Sequence, residues 1–281
     1  QMAVASAQLA LLDARLDASQ RNPERVGVTF GSDYIMTVPE EMTDGVRNCL
    51  NESGEFVWEF WAERGLPKVD PLWLLKYLPN MPASHVAIYN DLRGPSNSIT
   101  MREASGNLTL GEAYSTIVRG SADAIVAGST GTRIHPLRTV HVILQEDVAR
   151  ADVPPEQAAR PFDKNRLGMV LGEGAGVVVL EEREFAIERG ATILAEVAGQ
   201  GAAMVADRHG NPRYEDALAL AARKAIDSAG LSPDQIGHVH AHGLGTQIMD
   251  RAEARAIQRI FGNCPRPVPV VAAKSYFGNL G

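Results

Sequence analysis

Three histidines, His238, His240 and His242, alternate along one short apolar stretch. On a strand that spacing turns all three imidazoles to one face, an arrangement able to hold zinc. The nearest carboxylates, Asp250 and Glu253, fall on the next helical pattern rather than at ligand spacing. A metal-dependent hydrolase is one function this chemistry leaves open. A second run, Gly172-Glu173-Gly174-Ala175-Gly176, resembles a phosphate cradle but flows into Val177-Val178-Val179 instead of opening a helix, and no Gly-Lys-Ser/Thr follows. Glycines that let backbones approach inside a sheet are the simpler account. Lys274 follows an apolar run in Ala273-Lys274-Ser275 and is a candidate site amine. Two cysteines, Cys49 and Cys264, lie far apart and match no metal or redox spacing, which is the usage of a reducing compartment.

Short apolar runs alternate with helical patterns, the rhythm of an α/β fold with a mostly parallel sheet. Strands are expected at residues 25–30, 96–100, 122–127 (before Gly128), 169–180, 193–205, 236–241 and 268–272. Helices are expected at about 105–119, 214–229 and 249–261. Residues 2–18 read as an amphipathic helix, since Asp13, Arg15 and Asp17 interrupt any signal-peptide centre. Residues 39–90 read as helical or irregular and hold Trp58, Trp61 and Trp73. No linker or low-complexity tract divides the chain, so a single unit over residues 1–281 is expected.

The hydrophobic share of 45% beside 22% charged residues suffices for a large core. A net charge of −7 argues against nucleic-acid binding, and no apolar run approaches the roughly 20 residues of a membrane helix. A cytoplasmic protein is expected, and no cofactor is called for.

Several linked motifs resemble the β-ketoacyl-acyl-carrier-protein synthases, the condensing enzymes of fatty-acid and polyketide synthesis. The main one is Arg160-Pro161-Phe162-Asp163-Lys164 through Gly172-Glu173-Gly174-Ala175-Gly176. Around it, in family order, stand Pro79-Asn80-Met81, Gly94-Pro95-Ser96, Ala104-Ser105-Gly106, Val126-Ala127-Gly128, Arg189-Gly190-Ala191, Ala241-His242-Gly243, and Lys274-Ser275 with Gly278. The resemblance implies a thiolase-like five-layer αβαβα sandwich, with an N-terminal half over about 1–180 and a C-terminal half over about 181–281. It implies that the family's first strand lies upstream of Gln1 and its closing strands beyond Gly281, so a fragment truncated at both ends is expected. Implied partners are an acyl carrier protein or CoA thioester, and a second subunit in a homodimer or a heterodimer with an intact synthase.

In that register Glu103 stands at the position of the nucleophilic cysteine, near a helix N-terminus where an anion is tolerated. His242 matches the first catalytic histidine, Lys274 the site lysine, and Asn279 replaces the second histidine. Leu244 replaces the first of two threonines that hold the pantetheine arm, leaving Thr246. A carboxylate cannot form a thioester, so standard condensation is not expected. A non-elongating partner or acyl-binding subunit is the first expectation, and a malonyl-thioester decarboxylase using His242 and Asn279 the second. An ionised Glu103 would repel a malonyl carboxylate about 5 Å away by roughly 3 kcal/mol, about a hundredfold in rate. A protonated Glu103 would behave like glutamine, whereas an ionised one would pair with His242 or Lys274.

Overall fold

The computed structural model describes residues 1–33, 35–149 and 153–281 of the protein. Helix α1 (Met2–Asp13) leads to strand β1 (Val26–Ser32), helix α2 (Glu40–Arg47), α3 (Met81–Asn90), β2 (Ser96–Ile99), α4 (Ser105–Val118) and β3 (Ala124–Thr132). Then come α5 (Pro136–Gln145), β4 (Glu173–Glu181), α6 (Arg183–Glu188), α7 (Tyr214–Ser228), β5 (Val239–His240), α8 (Gln247–Phe261), β6 (Val270–Val271) and a last turn, α9 (Lys274–Phe277). No helix among the described residues is long and apolar enough to cross a membrane.

One sheet has the order β2-β1-β3-β4, with β1 parallel to both neighbours and β4 antiparallel to β3. All seven residues of β1 are buried, as expected for a strand covered on both faces. Val26, Val28 and Phe30, with Ala124 and Val126 of β3, pack against Ala3, Ala7 and Leu11 of α1 and Ala83 and Val86 of α3. The alternate β3 residues Ile125 and Ala127 face the other way, onto Ala113, Leu110 and Ile117 of α4. Period-two alternation therefore seats α4 on one face of the sheet and α1 with α3 on the other. Burying a side chain such as Val28 or Phe30 contributes about 1.5–3 kcal/mol.

Beyond α4 the chain of residues 193–205 is held by a hydrogen bond from Gln200 Nε2 to Ser115 Oγ (2.6 Å). It packs in turn on α7, which meets α8 through Ala219, Ile226, Ala256 and Ile260. The succession of α1 and α3, sheet, α4, extended chain, and α7 with α8 is a layered α/β architecture.

The structure alters several sequence expectations. Residues 193–205 form no strand, because they find no ladder partner among the described residues and lie against α7 instead; a Cβ on Gly201 would meet Ala221 O at 2.2 Å. Strand β3 does not stop before Gly128 but continues to Thr132, because β4 pairs with it along its whole length. Residues 169–172 precede β4 and make only isolated bridges, Val148 with Met169 and Leu171 with Asn279. The first helix ends at Asp13, just before Arg15 turns left-handed at φ 51°.

Candidate functional site

Glu103 lies in a single 3-10 turn, Arg102–Ala104, that feeds directly into α4. The preceding Arg102 is left-handed at φ 51°, a strained conformation for a side-chain-bearing residue. Ser105 Oγ accepts the backbone N–H of Met101 at 2.8 Å and ties this sharp entry together. Buried Thr109, whose hydroxyl donates to Ser105 O at 2.7 Å, fastens the first turn of α4. The Glu103 side chain is 20% exposed.

Two donors meet one Glu103 oxygen. Arg133 Nη2 donates to Oε1 at 2.5 Å and Asn279 Nδ2 to the same atom at 3.0 Å. Burial would raise this carboxyl, but Asn279, the Arg133 guanidinium, its own backbone N–H and Arg102 hold it down at about 2. Glu103 is therefore ionised at neutral pH.

The expectation that an ionised Glu103 pairs with His242 or Lys274 is corrected here. Strand β3 delivers Arg133 at its end, completely buried, and that guanidinium takes the carboxylate. Arg133 Nη1 also donates to Glu146 Oε1 (3.1 Å), which accepts a second bond from Arg102 Nη2 (2.5 Å). Sequence reasoning missed Arg102, Arg133 and Glu146. The available signal was an arginine directly after a buried strand, because a buried carboxylate demands a cation close by.

Asn279 owes its position to the glycine run. Its N–H donates to Val170 O (2.7 Å) and its carbonyl accepts Gly172 N–H (2.9 Å), so the end of the chain lies alongside residues 170–172. A Cβ on Gly172 would meet Phe277 O at 2.2 Å, which is the close approach expected of these glycines. Gly278, at φ 76° and ψ −170°, occupies backbone space essentially restricted to glycine.

Lys274 Nζ donates to Asn279 Oδ1 at 2.8 Å and lies 3.2 Å from His242 Nδ1. An ammonium only donates, so Nδ1 accepts and the ring proton sits on Nε2. Burial, then the Lys274 charge, lowers His242 to about 4, and burial lowers Lys274 to about 8. A continuous chain of contacts thus runs His242–Lys274–Asn279–Glu103–Arg133. Glu103 and His242 belong to one cluster without a direct hydrogen bond between them.

Helix α8 fixes the histidine loop through carboxylates. Glu253 accepts the N–H of His242 (2.6 Å) and of Gly243 (2.9 Å), and Asp250 accepts those of Gly245 (2.9 Å) and Phe162 (2.7 Å). Burial raises Glu253 in spite of these amides. Asp250 and Glu253 are thus spent on backbone, and the zinc arrangement does not form. His238, just before β5, and His240 within it are exposed and stack edge to face at 4.8 Å, while His242 has left the strand for the site. Among the described residues no three histidine, cysteine or acidic side chains cluster as metal ligands.

Thr246 is buried, and its hydroxyl accepts the Met249 N–H as the N-cap of α8 (3.3 Å). Leu244 lines a narrow gap with Arg160, Pro161, Lys274 and Asn279. Neither Cys49 nor Cys264 lines the cavity of about 170 Å³ beside Glu103.

Residues 1–186 match the family "Beta-ketoacyl synthase, N-terminal domain" and residues 194–281 match "Beta-ketoacyl synthase, C-terminal domain". The chain is 36% identical over 283 residues to 3-oxoacyl-[acyl-carrier-protein] synthase 2 of Vibrio cholerae, covering 100% of this chain and 65% of that relative. It therefore spans about 65% of the length of that curated relative. Among solved structures it is similar, at TM-score 0.84 and 25% identity over 100% of this chain and 67% of the other, to the type II polyketide AntDE ketosynthase in complex with its acyl-carrier protein AntF. The ishigamide ketosynthase/chain length factor is similar at TM-score 0.78 and 27% identity, over 99% of this chain and 64% of that one. The fold is thiolase-like α/β. Matched by two consecutive domain families over nearly all of its residues, the chain belongs to the β-ketoacyl synthase family.

Proposed function

We propose that this protein serves as a non-elongating subunit of a fatty-acid or polyketide condensing system, recognising carrier-borne acyl groups without forming an acyl-enzyme. The observation that carries the reading is the ionised Glu103 at the entry to α4, held by Arg133 and Asn279. A carboxylate there offers at best a mixed anhydride that water cleaves. Asn279 Nδ2, the donor a developing enolate would need, is already committed to Glu103. The gap beside Leu244 encloses only about 10 Å³, room for a single water. The larger cavity of about 170 Å³ lies beside Glu103 and is lined by Lys274 and Phe277, room for an acyl group next to a residue that cannot be acylated as a thioester.

Partners of this kind are an acyl carrier protein or CoA thioester and an intact synthase subunit, with a homodimer as the alternative assembly. An acyl-carrier-protein complex and a ketosynthase/chain length factor among the similar structures support the pairing. A second reading, malonyl-thioester decarboxylase, is favoured by the neutral His242, which turns Nδ1 to Lys274 and so carries its proton on Nε2. CO2 release from malonyl carrier protein separates the two. The subunit reading expects background rates between about pH 5 and 8 together with co-purification with an intact synthase. The decarboxylase reading expects release that His242→Ala abolishes.

A further inference from the structure

The donors around Glu103 are held in place by contacts that do not involve Glu103. Arg133 donates its backbone N–H to Gly172 O (3.0 Å) and its carbonyl accepts the Thr139 hydroxyl (3.0 Å). Its guanidinium is steadied by Glu146 Oε1 at 3.1 Å. Asn279 is clamped by Val170 and Gly172 through its backbone and by Lys274 through Oδ1. These anchors aim two N–H donors at one oxygen, with Arg102 Nε 3.7 Å from the other. Arg133 Nε is buried with no hydrogen-bond partner among the described residues, so the guanidinium retains an unmet donor there.

Charge follows the same plan. Arg102, Arg133 and Lys274 surround the carboxylate; Glu146 pairs with both arginines, while Asp33 and Glu253 act on Arg102 and Lys274 from further off. Without Glu103 the buried guanidinium keeps Glu146 on Nη1 but loses the carboxylate on Nη2, and planar carboxylates suit such a donor set better than a spherical ion.

We propose that Arg133, Asn279 and Arg102 form a carboxylate-binding site of which Glu103 is the tethered occupant. Emptied of that side chain, the site takes a small free carboxylate. Resting on the reading of residue 103 as the former nucleophile position, this means that a malonyl carboxylate is kept out by occupancy of its donors rather than by repulsion alone.

The test titrates Glu103→Ala with sodium acetate against sodium chloride at matched ionic strength near pH 7. Thermal stability and calorimetric binding are followed. Acetate should bind this variant at least tenfold more tightly than the parent or Glu103→Gln, and adding Arg133→Met should remove the difference. An acetate response equal to the parent's, or one indifferent to Arg133→Met, overturns the proposal. Should Glu103→Ala not fold, Glu103→Cys provides the second measurement, the ratio of alkylation rates by iodoacetate and by iodoacetamide. That ratio should fall about tenfold when Arg133→Met is added, one charge-assisted contact in an ordinary range; an unchanged ratio overturns the proposal. Neither readout involves CO2 release or a partner, so the carboxylate site and the subunit reading stand or fall separately.

Discussion

Glu103 and Arg133 are each other's counter-charge, and that makes them separable by a double-mutant cycle. Glu103→Gln takes from a fully buried guanidinium one of its two carboxylate partners, leaving Glu146, and Arg133→Met takes from a mostly buried carboxylate its nearest cation, leaving Asn279 and Arg102. Each single change should cost about 1–3 kcal/mol in urea unfolding, and the double change less than the sum. Strict additivity would show that the 2.5 Å contact contributes nothing. Acid titration should resolve two residues in sequence. His242, folded near 4 against an ordinary 6.5, stays neutral in the fold while the unfolded chain protonates. Its contribution is therefore lost as pH falls from about 6.5 to 4, by about 3 kcal/mol. Glu103, folded near 2 against 4.5, stabilises the fold above about pH 4.5 and loses that stabilisation as pH falls towards 2. His242→Asn should flatten the upper part of the stability profile and Glu103→Gln the lower part. A profile unmoved by either substitution would contradict the assigned protonation states. The Arg133 pairing also reduces the hundredfold repulsion expected for an isolated Glu103, so Glu103→Gln should raise any CO2 release by well under that factor.

Among the elements, the α4 entry, the β3 exit and the residue 170–172 stretch converge on one point, and the last depends on Gly278. Its backbone angles lie where only glycine is at ease, and a Cβ there would meet Val170 O at 2.9 Å. Gly278→Ala should therefore cost about 1–3 kcal/mol and pull Asn279 away from Glu103. The second effect is visible as an upward shift of the Glu103 carboxyl in a carbon-detected NMR titration. A destabilised protein with an unshifted Glu103 would mean that Asn279 is held by its side-chain contacts alone. Helix α8 plays the matching part for His242, since Glu253 and Asp250 fasten the loop by its amides and leave the imidazole free for Lys274.

At the scale of the molecule, the site is the seam between the sheet of β1 to β4 and the chain around α9. Gly172→Ala should force that seam apart, because its Cβ would meet Phe277 O at 2.2 Å. The expected outcome is a lower Tm and protease nicking within residues 272–281, with the sheet core intact; resistance equal to the parent's would show that the seam adjusts. Much of this arrangement was legible beforehand. Apolar strands such as β1 and the pattern of α4, α7 and α8 follow from local periodicity, which depends only on neighbours along the chain. The ordered motifs located Glu103, His242, Lys274 and Asn279, and the glycine run was read as close backbone approach. What stayed hidden depended on distant pairing. The 193–205 stretch has strand character in its residues, but a ladder needs a neighbour, and its neighbour is α7. The same holds for charge: the sequence puts a carboxylate just before the α4 pattern, while its ionisation was decided by Arg133, thirty residues away along the chain. Periodicity is written in adjacent residues, but the state of a buried charge is set by whichever donors the fold brings within about 3 Å.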